Sequence, residues 1–285
     1  MSDLMTDIEL KAHKWKNHMG NYVRAISDMD LNHIAEIRHQ TIREICIQSL
    51  KMGITPLRYL RNSPSISIED QIILGESEVA VVGAGGLGGH VIQLLCRLGI
   101  GRLLVCDPDT FDQTNLNRQS LCFTHNQGMF KAEEAVRQCA LINPAVEVKA
   151  HVLSITHSGQ IALFSHTNVV IDALDNAKDR LILSSISKDL GIPMVHGAVA
   201  GFEGRVMTHF PGDTGMNTLY SSEKEGCAES PGAEHVLGTP ALAPALIAPF
   251  QVMATVKILL NRGDMKHNCL LHVDLEKMSM NSFMV

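Results

Sequence analysis

The run Gly83-Ala84-Gly85-Gly86-Leu87-Gly88-Gly89 follows the apolar stretch Val79-Ala80-Val81-Val82 and opens the helical stretch Leu87 to Leu98. Four apolar residues in a row, without polar alternation, suit a strand buried on both faces of a parallel sheet. Glycines at the junction let the backbone approach a phosphate, and the helix start offers unpaired N–H groups and the positive end of a dipole. A glycine-tight turn can also serve only to pack a helix on a sheet, so a nucleotide site needs support from the residues downstream.

Downstream of the glycines, strand and helix alternate. Leu103 to Cys106 reads as a second strand, Lys131 to Ile142 as a helix stopped by Asn143-Pro144, and Val146, Val148 and Ala150 as an alternating third strand. Val169 to Ile171 is a fourth strand ending at Asp172, Ala177 to Leu190 a helix ended by Gly191, and Pro193 to His196 a fifth strand. This order predicts a parallel sheet with helices on both faces. Phe210 to Thr239 breaks the rhythm with five glycines and two prolines, and a loop of that length in a compact domain is usually functional or mobile. Pro240 to Asn261 reads as a long helix, and Leu270 to Leu275 and Ser279 to Val285 as closing strands. Upstream, Leu31 to Leu50 approximates one amphipathic helical face closed by Gly53 and Pro56. Residues 1–62 are therefore expected to form an N-terminal helical extension, and residues 63–285 the nucleotide-binding domain.

Composition removes several function classes. Aromatic residues make up 4% of the 285, and the net charge is −6, which speaks against a stacking platform or a backbone binder for nucleic acid. The seven cysteines are odd in number and include no C-x-x-C pair, so neither a zinc ribbon of paired thiolates nor a disulfide scaffold is expected; a reducing cytoplasm is the simplest compartment. The polar start lacks an export signal, and Ala241 to Phe250 is too short to span a bilayer and holds Pro244 and Pro249, so no membrane partner is expected.

Asp107 ends the second strand, 24 residues after Gly83, where an acid commonly accepts ribose hydroxyls. To this point a nicotinamide-dependent oxidoreductase fits equally well. The next residues separate the readings. Asp107-Pro108-Asp109 leads into Thr114-Asn115-Leu116-Asn117-Arg118-Gln119, Lys131 adds a second cation, and Asp175-Asn176 follows the fourth strand. A glycine cradle, two cations and a carboxylate suited to magnesium are apparatus for a nucleoside triphosphate and have no work in hydride transfer.

Together, Gly83-x-Gly85-Gly86-x-Gly88, Asp107-x-Asp109, Asn115 to Gln119, Lys131 and Asp172-x-x-Asp175-Asn176 resemble the ThiF/MoeB/HesA family, relatives of the ubiquitin-activating enzymes. The resemblance runs from about Arg58 to Leu275. It implies a Rossmann-like, doubly wound α/β fold, mostly parallel, with C-terminal antiparallel strands. It also implies an ATP- and Mg2+-dependent adenylyltransferase. The substrate would be a small ubiquitin-like sulfur-carrier protein, whose C-terminal Gly-Gly carboxylate attacks the α-phosphate. By the same resemblance, Gly83, Gly85, Gly86 and Gly88 cradle the phosphates and Asp107 holds the ribose, with Asp109 and Gln119 in the same cofactor set. Thr114, Asn115 and Arg118 position the phosphates beside Lys131, and Asp175 holds magnesium next to Asn176. Arg58-Tyr59-Leu60-Arg61-Asn62 is similar to the family's R-Y-x-R-Q stretch, and implies that Arg61 reaches the partner's ATP across a homodimer.

Two departures stand out. The family's paired zinc cysteines are missing, with Leu219-Tyr220-Ser221-Ser222 at the first expected pair, so no structural zinc is expected. The cysteine that often precedes the family's G-x-x-x-P stretch aligns with Val236, and Cys227 in the same loop is a candidate displaced sulfur relay. These departures keep open a non-catalytic nucleotide-binding module, or adenylation of another substrate such as a peptide or a tRNA base.

Overall fold

The computed structural model describes residues 3–156, 161–220 and 236–285. Its strands β4 (Glu78–Val82), β5 (Arg102–Cys106), β6 (Glu147–His151), β7 (Val169–Asp172), β8 (Met194–Ala200), β9 (Glu203–His209), β10 (Cys269–Asp274) and β11 (Ser279–Met284) form one sheet. The order is β11-β10-β9-β8-β7-β4-β5-β6. From β6 to β8 all pairings are parallel, and from β8 to β11 all are antiparallel. The α/β fold expected from the alternating pattern is thus present, with the antiparallel strands at its C-terminal edge.

Successive residues of the central strands feed two cores. Val79, Val81, Leu103, Val105, Val169 and Ile171 point to one face, covered by α5 (Gly86–Leu98), α6 (Lys131–Ile142) and α9 (Leu242–Leu259). Ala80, Val82, Leu104, Cys106 and Val170 point to the other, covered by Phe164, by α7 (Ala177–Leu190) through Leu183 and Ile186, and by the short α8 (Gly215–Leu219) through Met216. Burial on both faces is why these strands read as unbroken apolar runs. Helix α9 is, among the described residues, long and apolar enough to cross a membrane by length and composition alone. Here Ala243, Ile247, Ala248 and Val252 bury it in the core against α5 and the sheet.

The N-terminal segment departs from the helical extension expected of residues 1–62. Helices α1 (Leu4–Lys11), α2 (Asp28–Arg38) and α3 (Ile42–Lys51) are joined by a three-stranded sheet of β1 (His13–Lys16), β2 (Tyr22–Ile26) and β3 (Thr55–Pro56). The single amphipathic stretch from Leu31 to Leu50 is two helices. His39 takes a left-handed φ of 52° as the cap of α2, and Thr41 starts α3 with a reciprocal capping box to Glu44. Ile8, Ile26, Leu31, Ile34, Ile45 and Ile54 give this unit a small core of its own.

The unit docks at the amino ends of the parallel strands. Arg43 of α3 and Arg102 at the start of β5 both reach the Glu147 carboxylate at the start of β6, at 3.0 Å each. Arg58 pairs with Asp28 and donates to the Ile142 carbonyl at the end of α6. Tyr59 is buried against Gly99 and shares a hydrogen bond with Asn143. Helix α4 (Ile68–Glu76) then leads into β4.

Candidate active site

The sheet order reverses direction between β4 and β7, because β4 continues through α5 to β5 on one side while β7 enters on the other. Crevices at the carboxyl ends of strands at such a point are where α/β sheets bind ligands. A cavity of about 370 Å³ lies there, within the size range of small-molecule sites.

The glycine loop forms one wall. Gly83 has φ +96°, and a Cβ there would lie 2.5 Å from the Ala173 carbonyl oxygen. A Cβ on Gly88 would lie 1.8 Å from the Gly83 carbonyl oxygen. Gly83, Gly85 and Gly86 line the cavity, whereas Gly88 sits behind them and lets α5 close onto the loop.

Asp107, at the carboxyl end of β5, lines the cavity and is 5% exposed. Its Oδ2 accepts from the Ala84 N–H at 2.7 Å and its Oδ1 from the Asp109 N–H at 2.8 Å. Burial pushes its carboxyl above the usual range, against the pull of those N–H groups and of Lys131. The Lys131 ammonium, 7% exposed at the start of α6, sits 3.0 Å from Asp109 Oδ2. Arg118 lies beside Gly86, braced by the Thr114 carbonyl and Asn117 Oδ1. Gln119 is buried on the wall, and its Oε1 has no partner among the described residues. A buried acceptor left over in a polar crevice calls for a donor supplied by a ligand.

Asp175 and Asn176 stand exposed at the rim, following β7. Asn176 caps α7 by accepting from the Asp179 N–H at 2.9 Å. The structure therefore brings Gly83, Gly85, Gly86, Asp107, Asp109, Arg118, Gln119, Lys131, Asp175 and Asn176 around one cavity. Thr114 and Asn115 are not among its lining residues. With Asp112 they build the short 3-10 turn that carries Arg118, Asn115 closing a capping box with Asp112. Arg61 is absent from the lining too, and follows Tyr59 at the amino end of the sheet. Cys227 lies outside the described residues.

Several lining residues carry no signal in the sequence. Leu153, Ser154 and Ile155 follow β6 as Asp107 follows β5, and line the cavity with a partly apolar stretch. Ala198, Val199 and Thr239 complete the far wall. Arg180, buried in the first turn of α7, adds a third cation. It donates to the Leu174 carbonyl and, at 2.9 Å, to the Tyr220 hydroxyl.

The charge pattern suits a triphosphate: cationic side chains on two sides, a Cβ-free cradle and a carboxylate at the rim. No group of three or more acidic, histidine or cysteine side chains converges among the described residues. Magnesium needs no such cage, because it takes one or two carboxylates and fills its remaining positions with phosphate oxygens and water.

Comparison with known proteins points to one family. The ThiF family profile matches residues 59–285. A protein named SAMP-activating enzyme E1, from Haloferax volcanii, is 33% identical over 81% of this chain and 86% of its own length. A sulfur carrier protein adenylyltransferase from Thermus thermophilus is 32% identical over 70% of this chain and 75% of its own. Among solved structures, that of E. coli MccB with ATP superposes with a TM-score of 0.64 at 19% identity, over 79% of this chain and 70% of that one, a likeness of fold.

Proposed function

The chain belongs to the ThiF family, and we propose that it is an adenylyltransferase that uses ATP to activate the C-terminal glycine carboxylate of a small ubiquitin-like sulfur-carrier protein. The observation that carries this reading is the convergence of the glycine loop, Arg118, Lys131 and Asp175 on one cavity at the strand carboxyl ends. The relatives named as activating enzymes for such carriers support the choice of substrate.

In the proposed reaction a carboxylate oxygen of the carrier attacks the α-phosphorus of ATP. The bond from that phosphorus to the bridging oxygen breaks, leaving a carrier acyl-adenylate and pyrophosphate. Negative charge grows on the phosphoryl oxygens and the leaving group. Arg118 and Lys131 are already fixed by hydrogen bonds and an ion pair, so they meet that charge with little reorganisation. Lys131 keeps Asp109 as its partner and has further ammonium donors for the phosphates. The Gly85 and Gly86 amides at the start of α5 face the phosphate chain, while Gly83 and Ala84 spend theirs on the Cys106 carbonyl and the Asp107 carboxylate. Asp107 holds the ribose through lone pairs its two backbone bonds leave free. Asp175 would hold Mg2+, which would supply neutralisation of the growing phosphate charge.

Arg61 fits a role across a homodimer. Tyr59, two residues before it, is held by Asn143 at the amino end of the sheet, which supports service to the crevice of a second copy. Five of the six described cysteines are buried as free thiols, which suits a reducing cytoplasm. Cys227 keeps its place as a candidate sulfur relay on sequence grounds alone.

The test is ATP–pyrophosphate exchange. Asp175→Ala should abolish exchange while the circular dichroism and melting temperature stay those of the parent, because Asp175 is exposed. Exchange at the parent rate would remove the magnesium assignment.

A further inference from the structure

Beneath the rim, five residues close a ring of hydrogen bonds. Asp172 and His196 are fully enclosed, and Asp172 Oδ2 lies 2.7 Å from His196 Nδ1. A carboxylate can only accept, so Nδ1 carries the proton and Nε2 is left as an acceptor. The Tyr220 hydroxyl lies 3.3 Å from that Nε2 and must donate to it. The same oxygen accepts from Arg180 Nη1 at 2.9 Å. Arg180 Nη2 donates to the Leu174 carbonyl, and the Leu174 N–H donates to Asp172 Oδ1 at 3.0 Å. Each donor and acceptor role is thus fixed around the ring.

The ring ends on both polar groups of one residue, Leu174, immediately before Asp175. The same segment is wedged from the other side, since the Ala173 carbonyl sits in the space a Gly83 side chain would fill. Gln251 Nε2 ties the Asp172 carbonyl to that of Val195, at 2.8 and 3.1 Å. An exposed carboxylate on a loop tip is ordinarily free to wander, whereas here the backbone that carries it is held at every polar atom of the preceding residue.

We propose that Tyr220, His196 and Arg180 are positioning residues of the reaction: through Asp172 and Leu174 they aim the Asp175 carboxylate at the metal ion that accompanies ATP. This rests on the reading that Asp175 holds magnesium. Partners that orient a metal ligand typically govern metal affinity by roughly ten- to a hundredfold.

The experiment is calorimetric titration of the full chain with ATP at stepped Mg2+ concentrations and in EDTA, beside thermal melts. Tyr220→Phe removes one oxygen and opens the ring. It should raise the half-saturating Mg2+ roughly tenfold while ATP affinity in EDTA stays at the parent value. Arg180→Lys, which cannot reach both acceptors in a fork, should shift Mg2+ dependence in the same direction, and serves if Tyr220→Phe does not fold. Asp175→Asn should remove the Mg2+ dependence. If Asp175→Asn removes it while Tyr220→Phe and Arg180→Lys leave it unchanged, the ring proposal fails and the magnesium reading stands. If Tyr220→Phe lowers ATP affinity equally with and without Mg2+, the ring is only structural and the proposal is overturned; Arg180→Lys, whose cation lines the cavity, is read for its Mg2+ dependence alone. If Asp175→Asn keeps the parent dependence, the magnesium reading fails and takes the ring with it.

Discussion

Two independent constraints meet on Gly83. Its φ of +96° disfavours any side chain, and a Cβ would meet backbone at 2.5 Å, where nothing can rotate away. Gly83→Ala should therefore cost about 2 kcal/mol or more of stability, read from the urea midpoint, and should weaken ATP binding along with it. A loss under about 0.5 kcal/mol, the range of an ordinary surface substitution, would mean the loop relaxes and the cradle is not rigid. Residues like Gly83, Asp107 and Asp175 were legible in the sequence because they stand in fixed order at strand ends. Arg180 and Leu153 to Ile155 were not, because a first-turn cation and a loop segment carry neither periodicity nor a glycine signature. Thr114 and Asn115, which the resemblance assigned to phosphate, instead use their polar groups in the turn that precedes Arg118.

At the scale of elements, helices α6 and α7 occupy the residues their stop signals mark, Asn143-Pro144 and Gly191. Strand β1 left no trace because all four of its residues are exposed, so no alternation records its register. Strand β9 was missed for a related reason: Glu203 and Arg205 interrupt its apolar residues. The joint between the N-terminal unit and the sheet turns on Glu147. Burial opposes its ionisation, but Arg43 and Arg102 prevail and hold its carboxyl below the usual range. A depressed carboxyl contributes stability above its unfolded pKa of about 4.3, and loses it as pH falls through the folded value. Glu147→Gln should accordingly lower stability at neutral pH by about 1 kcal/mol, a figure already reduced for its partial exposure. The difference between variant and parent should close in acid. Denaturant midpoints from neutral pH down into the acid range read this, and a gap that stays constant throughout would contradict the clamp.

For the whole molecule, the two ends of the sheet carry different tasks. The carboxyl ends hold the nucleotide crevice, and the amino ends hold the N-terminal unit and Arg61. If Arg61 completes a partner's site, Arg61→Ala and Asp175→Ala proteins, each impaired alone, should regain part of the exchange activity when mixed; no recovery after subunit exchange would argue against a shared site. The identity of the carboxylate that attacks ATP decides what the molecule does, and a single assay reaches it. It is pyrophosphate exchange into ATP with Mg2+ and a ubiquitin-like carrier protein ending in Gly-Gly, compared with the same carrier lacking its last glycine. Exchange should depend on the intact carrier and be accompanied by a carrier-AMP adduct of matching mass. ATP binding without exchange in the presence of the intact carrier would contradict the adenylyltransferase reading, and would leave the chain as a nucleotide-binding module.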